Sequence, residues 1–428
     1  MENYQKMIHE WLSAQRKNGI RLLTQLIQQA STQGNEAKAQ AIIIEKCRQL
    51  GLEIDIWEPN GEQLREHPYF VSPRTDFSNS PNVVGILRGI GGGRSLILNS
   101  HVDVVPEGEV EQWGDDPYSG AVKEGKVYGR GASDMKGGTV SFLLALEAIK
   151  AMGIRLKGDV IFQSVVEEES GGAGTLAAIL RGYKADGAII TEPTNMKLFP
   201  KQQGSLWFRI TVHGKSAHGG TRYEGISALE KMKIVLEQLQ ELESERNNRV
   251  VDPLYQHIPI PVPINVGKIE GGTWPSSVPD RVVIEGRMGV APNETVEMAK
   301  QEMEHFVSVI NKRDQWFETH PVELEWFGAQ WLPSSIEENH PLVAVLVDAY
   351  KCVKGEVPTV EASPWGTDGG LLAQVGRIPT IVFGPGTTAV AHHPNEYIEI
   401  DNMLIAAEIL ALTIIHWCEI DEKGEMGV

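Results

Sequence analysis

The order of predicted strands and helices changes twice along the chain, and this constrains the fold more than any other feature. Up to about residue 203, strands alternate with helices, for example strand 158–166, helix 173–182 and strand 186–191. Alternation of this kind is typical of an α/β sheet that carries helices on both faces. The same alternation of strands and helices returns after about residue 330, with helix 341–353 and strand 379–383.

The intervening stretch has a different order, β-α-β-β-α-β, which is that of a split βαβ unit. Its predicted elements are strand 205–213, helix 224–246, strands 262–269 and 280–289, helix 294–312 and strand 322–327. One domain inserted into another is the simplest arrangement that gives this order. The sequence therefore predicts a discontinuous domain of residues 1–203 and 331–428, and an inserted α+β domain of residues 204–330.

A glycine-rich segment, GIGGGR at residues 89–94, separates two predicted strands, 82–88 and 95–100. It lacks the GxGxxG spacing of a dinucleotide-binding loop and opens no helix. We therefore predict that it is the turn of a hairpin between these two strands.

Charge and cysteine content exclude several function classes. The 39 Lys and Arg residues against 57 Asp and Glu residues give a formal net charge of −18, which a nucleic acid or an anionic membrane would repel. The three cysteines, Cys47, Cys352 and Cys418, are far apart, which disfavours a disulfide framework and a cysteine zinc site. We expect a cytoplasmic protein that binds neither nucleic acid nor membrane. The apolar stretch 403–418 is predicted to be a buried helix.

Histidines and carboxylates follow several predicted strands. His101 and Asp103 follow strand 95–100, and because strand side chains alternate they point the same way. Three adjacent glutamates at 167–169 and the single Glu192 follow later strands. Ligands of open α/β sheets bind at the carboxyl ends of strands. Carboxylates crowded at such a place indicate a bound cation.

Two loops supply further candidates. Asp134 lies among glycines before a predicted helix, where it could be an N-cap, although a cap does not need so many glycines. In a late loop, either His392 or His393 could be the functional imidazole. Two histidines with three carboxylates and no thiolate are typical of a zinc hydrolase. The sequence has no HExxH or GxSxG motif, which excludes a thermolysin-like helix and gives serine catalysis little support.

Together these segments resemble the dinuclear zinc amidohydrolases and peptidases that include acetylornithine deacetylase, succinyl-diaminopimelate desuccinylase, aminoacylase and carboxypeptidase G. The resemblance extends through nearly the whole chain, and the segments occur in the family's order. They are NSHVDVVP (99–106), GRGASDMKGG (129–138), EEESGGAGT (167–175), TEPT (191–194), GKSAHGG (214–220), SSVPDRVVIEGR (276–287) and AHHPNE (391–396). It implies a mixed-sheet, zinc-peptidase-like catalytic domain with an inserted dimerisation or lid domain.

The resemblance also implies roles for residues of the metal site. His101 is similar to a ligand of one metal ion, Asp134 to the carboxylate that bridges both ions, and Asp103 to the residue that orients His101. Glu192 resembles the second ligand of the metal ion that His101 binds.

The acidic segment and the late loop are matched by their spacing to the family's motifs. In the acidic segment, Glu168 matches the general base and Glu169 a metal ligand, while Glu167 stands where the family commonly has Asp. The pattern His-x-x-Asn/Asp-Glu selects His392 over His393.

Two residues of the predicted insert complete the set. His218 resembles a histidine that reaches from the partner subunit of a homodimer to polarise the scissile carbonyl; the alternative is a turn histidine beside Gly219. Arg287 resembles an arginine that holds a substrate carboxylate, the alternative being a surface ion pair. Ser276 departs from the family's pattern, in which many members have Asn at that place.

The function implied is hydrolysis of the amide bond of a small N-acyl amino acid, as in acetylornithine deacetylase, with two Zn²⁺ ions and Glu168 as general base. Co²⁺ or Mn²⁺ in place of zinc is compatible with the same ligands. A dipeptidase or carboxypeptidase, and a deformylase or carbamoylase of a small metabolite, are alternatives on the same scaffold. A metal-binding protein without catalysis is disfavoured because a base, a bridging carboxylate and ligands are all present.

Overall fold

The computed structural model describes residues 2–421 of the chain. Its helices of four or more residues are α1 Glu2–Ile27, α2 Ala37–Gln49, α3 Gly61–Leu64, α4 Gly137–Ala151, α5 Ala173–Leu180, α6 Ala228–Asn248, α7 Val296–Arg313, α8 Pro341–Lys354, α9 Gly369–Gln374 and α10 Ile400–Cys418. Its strands are β1 Glu53–Trp57, β2 Asn82–Leu87, β3 Leu96–His101, β4 Ala121–Lys123, β5 Lys126–Tyr128, β6 Val160–Val165, β7 Ala188–Ile190, β8 Leu198–Gln202, β9 Gly204–His213, β10 Ile264–Gly271, β11 Arg281–Val290, β12 Glu323–Trp331, β13 Ser334–Ser335, β14 Val360–Ser363, β15 Thr380–Val382 and β16 Tyr397–Glu399.

The chain divides into two compact units. Unit 1 comprises the residues up to Lys201, the segment Ser334–Ala362 and the residues from Thr367 onwards. Unit 2 comprises Gln202–Pro333 together with the short segment Ser363–Gly366.

A mixed sheet forms the centre of unit 1, with strand order β1-β2-β6-β3-β7-β15-β8-β13 and β14 beside β8. Strands β6, β3, β7 and β15 are parallel to their neighbours in this series, whereas β2 is antiparallel to β6. A three-stranded sheet, β16-β5-β4, is separate. The expectation of an α/β fold with a mixed sheet is confirmed.

The hairpin predicted at residues 89–94 is wrong, because β6 lies between β2 and β3 in the sheet. The segment instead crosses the start of β6, where the N–H of Ile90 donates to the carbonyl of Leu156 and that of Gly91 to the carbonyl of Lys157. Gly89 is needed there, since a Cβ atom would come within 2.3 Å of the Lys157 carbonyl oxygen. The glycines of this segment predicted a tight turn between β2 and β3. These two strands are not neighbours in the sheet, because β6, which comes later in the chain, lies between them.

Helix α10 has the length and composition of a membrane span, but 72% of its apolar stretch is buried inside the protein. It packs against α1, α4 and α8, and its side chains belong to the largest hydrophobic cluster of unit 1. The predicted buried C-terminal helix is therefore confirmed.

Unit 2 is built around a four-stranded antiparallel sheet of order β10-β11-β9-β12. Helices α6 and α7 begin at side-chain N-caps, Ser227 and Thr295. Alternate residues of β9, Phe208, Ile210 and Val212, are fully buried, whereas Trp207, the residue before Phe208, is 39% exposed. The order of elements in this unit is β-α-β-β-α-β.

Candidate metal centre and active site

Three neighbouring strands of unit 1 place polar residues at one edge of the sheet. Strand β3 ends at His101, which pairs in register with Val165 at the end of β6. Residues 167–169 follow β6, and Glu192 follows β7 two residues after its end. Because these strands are parallel, their carboxyl ends meet at the same edge.

Two loops bring Asp134 and His392 to the same place. Asp134 lies in a turn, Ala132–Lys136, that precedes α4, and His392 lies before β16 in a left-handed conformation with φ 61°. Together with His101, Glu168, Glu169 and Glu192 they form a cluster that we call the acidic centre.

The Glu396 carboxylate joins these two loops. One of its oxygens accepts from the Arg130 guanidinium (2.7 Å) and the Gly131 N–H (3.0 Å), and the other from the N–H groups of Ser133 (2.8 Å) and Asp134 (3.0 Å). The side chains of Arg130 and Glu396 are 2% and 0% exposed, so this is a buried ion pair. The loop that carries His392 thus fixes the turn that carries Asp134.

The glycines after Asp134 allow close packing beneath the acidic centre. A Cβ atom on Gly138 would lie 2.3 Å from the carbonyl oxygen of Thr191, the residue before Glu192. Buried Lys136 donates to the carbonyls of Leu26 and Gln29 at the end of α1, at 2.9 Å each. These contacts explain a glycine density that a helix cap alone does not require.

The hydrogen bonding of His101 shows which of its two ring nitrogens carries a proton. Its Nδ1 lies 2.8 Å from the backbone carbonyl oxygen of Asp103, which can only accept, so Nδ1 carries a proton. Nε2 then faces carboxylate oxygens of Asp134 (3.2 Å), Glu192 (3.6 Å) and Glu168 (4.0 Å). A neutral imidazole would direct a lone pair at these anions, so the arrangement calls for a second proton or a bound cation.

Asp134 lies between the two imidazoles. Its Oδ1 is 3.2 Å from His101 Nε2, and its Oδ2 is 3.2 Å from His392 Nε2. Burial acts to raise its pKa, but the contacts with His101 and His392 prevail and lower it below the usual range. This carboxylate is therefore ionised, with one oxygen directed to each side of the acidic centre.

The remaining carboxylates complete two groups that could each hold a cation. His101, Asp134 and Glu169 form one and His101, Glu168 and Glu192 the other, with ligand atoms within 4.8 Å of one another in each. Glu169 also contacts His392, Oε2 to Nε2, at 3.2 Å. Its other oxygen, Oε1, is buried without a hydrogen-bond partner among residues 2–421, as expected of an atom that binds an ion.

The charges of the acidic centre shift the pKa values of its members. Burial, reinforced by the charge of Asp134, raises the pKa of Glu192 to about 8. Burial and the charge of Glu192 raise the pKa of Glu168 well above its usual range. For His392, burial acts to lower the pKa, but the Glu169 and Asp134 carboxylates raise it to about 11. The pKa values of the carboxylates Glu168 and Glu192 are raised, and so is that of the His392 imidazole. Raised pKa values in both kinds of group indicate an excess of negative charge at the acidic centre.

Asp103 was expected to orient His101, and its closest contact with that imidazole is made by its backbone carbonyl rather than by its carboxylate. Its carboxylate is 3.7 Å from His101 Nδ1, and the shorter contact is that of its backbone carbonyl. The carboxylate instead accepts the backbone N–H groups of Glu168 (3.3 Å) and Glu169 (3.1 Å). Asp103 thus holds the acidic segment in place as well as contacting His101.

Asp368 is a further candidate for the site that the sequence motifs did not predict. It is 1% exposed, and a Cβ atom on Gly172 would come within 2.3 Å of its Oδ1. Burial raises the pKa of Asp368 to about 6, and the charge of Asp368 contributes to the raised pKa of Glu168. An acidic residue among glycines, Gly366-Thr367-Asp368-Gly369-Gly370, is the same signal that marked Asp134 and could have identified it.

His218 and Arg287 belong to unit 2 and are described within it. His218 is exposed, and its Nδ1 accepts the Gly220 N–H at 3.0 Å, so its neutral form carries the proton on Nε2. Arg287, half-buried on β11, pairs in register with Trp207 and Asn265. Among residues 2–421 no carboxylate forms an ion pair with it, and burial lowers its pKa.

Comparisons with known proteins fit this geometry. The model of peptidase family M20/M25/M40 matches residues 97–416. N-formyl-4-amino-5-aminomethyl-2-methylpyrimidine deformylase of Halalkalibacterium halodurans is 34% identical over 406 residues, 90% of each chain. Acetylornithine deacetylase of Edwardsiella ictaluri is 27% identical over 352 residues, 80% of this chain and 85% of that one.

A solved structure shows the same fold at much lower identity. The di-peptidase Dug1p of Saccharomyces cerevisiae superposes with a TM-score of 0.75 at 14% identity, covering 98% of this chain and 99% of that one. The chain therefore belongs to peptidase family M20/M25/M40, whose members are metal-dependent hydrolases.

Proposed function

We propose that this protein removes a small acyl group from an amine by hydrolysing the amide bond, with two divalent metal ions held in the acidic centre. The observation that carries the proposal is the pairing of Asp134 with two imidazoles, one oxygen to each. His101, whose Nδ1 proton is bound by a carbonyl, leaves Nε2 as a ligand, the arrangement common to metal-binding histidines.

The residues divide into two ligand sets that share Asp134. His101 and Glu192 belong to one set, and Glu169 and His392 to the other. The unpartnered Glu169 Oε1 and the raised pKa of Glu192 fit bound cations, which would relieve both. Nitrogen and oxygen ligands suit zinc, and also cobalt or manganese. Metal ions bound here would polarise the acyl carbonyl and make a nearby water more acidic.

Glu168 is proposed as the general base. It is buried at the acidic centre, with its Oε2 4.0 Å from His101 Nε2, and its pKa is raised well above the usual range. From this position the carboxylate can take a proton from the attacking water and return it to the departing amine. Asp103 holds the backbone of this segment through two N–H groups.

His218 is proposed to donate its Nε2 proton to the carbonyl oxygen as negative charge develops there. Its Nδ1 is occupied as an acceptor of the Gly220 N–H, so Nε2 is left as the donor. The family resemblance supports a homodimer in which His218 serves the partner subunit's site. The homodimer and the cytoplasmic location, which fits three free cysteines, stay predictions.

For the substrate we favour an N-formyl amine, with an N-acyl amino acid as the second candidate. The formyl amine is supported by the relative of Halalkalibacterium halodurans and by that of Bacillus subtilis, a deformylase of the same name that is 33% identical over 406 residues. The N-acyl amino acid is supported by Arg287, a guanidinium that has no ion pair within residues 2–421 and suits a substrate carboxylate.

A substrate panel tests both candidates. N-formylaminomethylpyrimidines, N-formyl and N-acetyl amino acids, their carboxamides and dipeptides would be incubated with the metal-loaded protein, and the released amine measured. Glu168→Gln, which keeps the size of the side chain but not its basicity, is the matched control. Release that depends on metal and on Glu168 supports the proposal, and the ranking of kcat/KM chooses the substrate. A panel cleaved equally by wild type and Glu168→Gln would refute it.

A further inference from the structure

The first carboxylate of the acidic segment, that of Glu167, is bound by residues outside the acidic centre. The side chain of Glu167 is 0% exposed, and its Oε1 accepts from Arg74 Nε (2.6 Å) and from Gln33 Nε2 (2.8 Å). Its Oε2 accepts from the Ser72 hydroxyl at 2.6 Å. The residue immediately before the proposed base is thus held by three hydrogen-bond donor atoms from elsewhere in unit 1.

Arg74 links this carboxylate to a second buried one. Its Nη2 donates to Glu36 Oε1 at 2.7 Å and its Nη1 to the Ser80 hydroxyl at 3.0 Å. Ser80 in turn donates to Glu36 Oε2 at 2.7 Å, and the guanidinium lies 4.8 Å from the centre of the Phe77 ring. The side chains of Glu36 and Arg74 are 0% and 18% exposed, so the fork of the guanidinium joins two buried anions in one geometry.

The backbone at Glu167 needs this support. Its φ is 66°, in the left-handed region that a residue other than glycine rarely adopts. On the other side, the N–H groups of Glu168 and Glu169 donate to the Asp103 carboxylate. The segment is therefore fixed at its first residue by Arg74 and at its next two by Asp103.

In a run of three glutamates, either the first two or the last two could supply the base and the metal ligand. From these contacts we propose that Arg74 is a positioning residue: by binding Glu167, it determines that Glu168 and Glu169, and not Glu167, face the metal site. This inference rests on the roles of Glu168 and Glu169 in the proposed function. Arg74 itself touches no member of the acidic centre in the contacts described above, so its effect is transmitted through Glu167.

The test combines metal binding with turnover in four proteins: Arg74→Met, Glu167→Gln, the double variant, and Arg88→Met as matched control. Arg88 also joins two carboxylates, Glu53 at 2.8 Å and Asp159 at 2.7 Å, but its side chain is 53% exposed. Apoprotein would be titrated with Co²⁺, and the affinity and the visible absorption spectrum of the bound ion recorded. kcat and KM would be measured on the best substrate of the panel.

We expect Arg74→Met to weaken Co²⁺ binding or to lower kcat by about 10–100-fold, the range for residues that orient metal ligands, with KM nearly unchanged. A changed Co²⁺ spectrum would show altered ligand geometry, which a loss of stability alone does not produce. The double variant should be no worse than the poorer single variant, because both act through one contact. Arg88→Met should match wild type in both assays.

The inference would be overturned if Arg74→Met had the Co²⁺ affinity, the spectrum and the kcat of wild type. It would also be overturned if the effects of Arg74→Met and Glu167→Gln added up in the double variant. If Arg74→Met does not fold, Arg74→Lys and Glu167→Gln carry the same measurements, since each keeps a polar partner at the contact. A wild-type protein that binds Co²⁺ but cleaves nothing in the panel contradicts the proposed function, whereas the Co²⁺ titration still decides the role of Arg74.

Discussion

The two units hold their functional candidates in opposite ways. In unit 1 the members of the acidic centre contact one another within a few ångströms, and all except His392 are buried or partly buried. In unit 2, His218 is exposed and Arg287 has no ion pair among residues 2–421. A cation site needs several anions brought together in advance, whereas a residue that meets a substrate must keep its donor or charge free.

This difference predicts that substitutions in the two units have different signatures. Changes in the acidic centre should alter metal content or the chemical step. Changes at His218 or Arg287 should leave metal content alone and alter turnover or substrate preference. The predictions below test this division, from the largest expected effect to the smallest.

The largest effect is expected for Glu168. Glu168→Ala should retain metal and lose roughly 10²–10⁴-fold in kcat, the range for removing a general base. Glu169→Ala should instead lose metal, because it removes a ligand from the set that includes His392. Metal analysis of the purified proteins and single-substrate kinetics measure both. Metal lost from Glu168→Ala and kept by Glu169→Ala would show that the two roles are exchanged.

His218→Ala should lower kcat by about 10²–10³-fold, as for removal of one donor to a developing oxyanion, with metal content unchanged. If His218 serves the partner subunit's site, mixing inactive His218→Ala with inactive Glu168→Ala subunits should restore part of the activity. Activity measured after mixing and sedimentation of the active species check this. An active enzyme that sediments strictly as a monomer is incompatible with it.

Arg287→Ala should change substrate preference. A desolvated, bidentate, charge-assisted contact is worth about 1.5–3 kcal/mol, or about ten- to a hundred-fold in kcat/KM. If Arg287 holds a substrate carboxylate, wild type should cleave N-acyl amino acids faster than their carboxamides, and Arg287→Ala should cleave both alike. The acid-to-amide ratio of kcat/KM measures this. A ratio near one in wild type removes the carboxylate requirement and leaves the formyl amine as the substrate.

The smallest effect is a pH dependence of the metal-free protein. The pKa values of Asp103 and Glu192 are each raised to about 8, mainly by burial, against about 4 when unfolded. Between these values the folded state binds more protons than the unfolded state, so stability falls as pH rises from about 4 to 8. His392, raised to about 11, adds stability that is complete below about pH 6.5 and is lost above it.

The chelated protein should therefore show a Tm that falls from pH 5 to pH 8, since about 1 kcal/mol of lost stability lowers Tm by roughly 2–4 °C in large domains. Metal-loaded protein is the control, because metal binding needs deprotonated ligands and gains strength as pH rises. A Tm of the chelated protein that rises across this range would contradict the excess of negative charge assigned to the acidic centre.

Much of the fold was predictable from the sequence because its signals are local. Apolar periods predicted the long helices, such as α6 and α10, and the order of elements in unit 2. The short strands β4, β5, β8 and β14 were missed, since three to five residues carry little periodicity. The hairpin at 89–94 was mispredicted because sheet order depends on a strand seventy residues further along the chain.

For the site, the sequence by itself determined the candidate metal ligands and the segments that carry them, because motif spacing is a property of the chain. Only the tertiary structure decided which atoms meet: that Asp134 directs one oxygen to each imidazole, and that the Asp103 carboxylate binds backbone N–H groups rather than His101. The tertiary structure also distinguished the three adjacent glutamates at 167–169. Glu167 is bound by Arg74 while Glu168 and Glu169 lie in the acidic centre, and contacts between residues ninety positions apart make that choice.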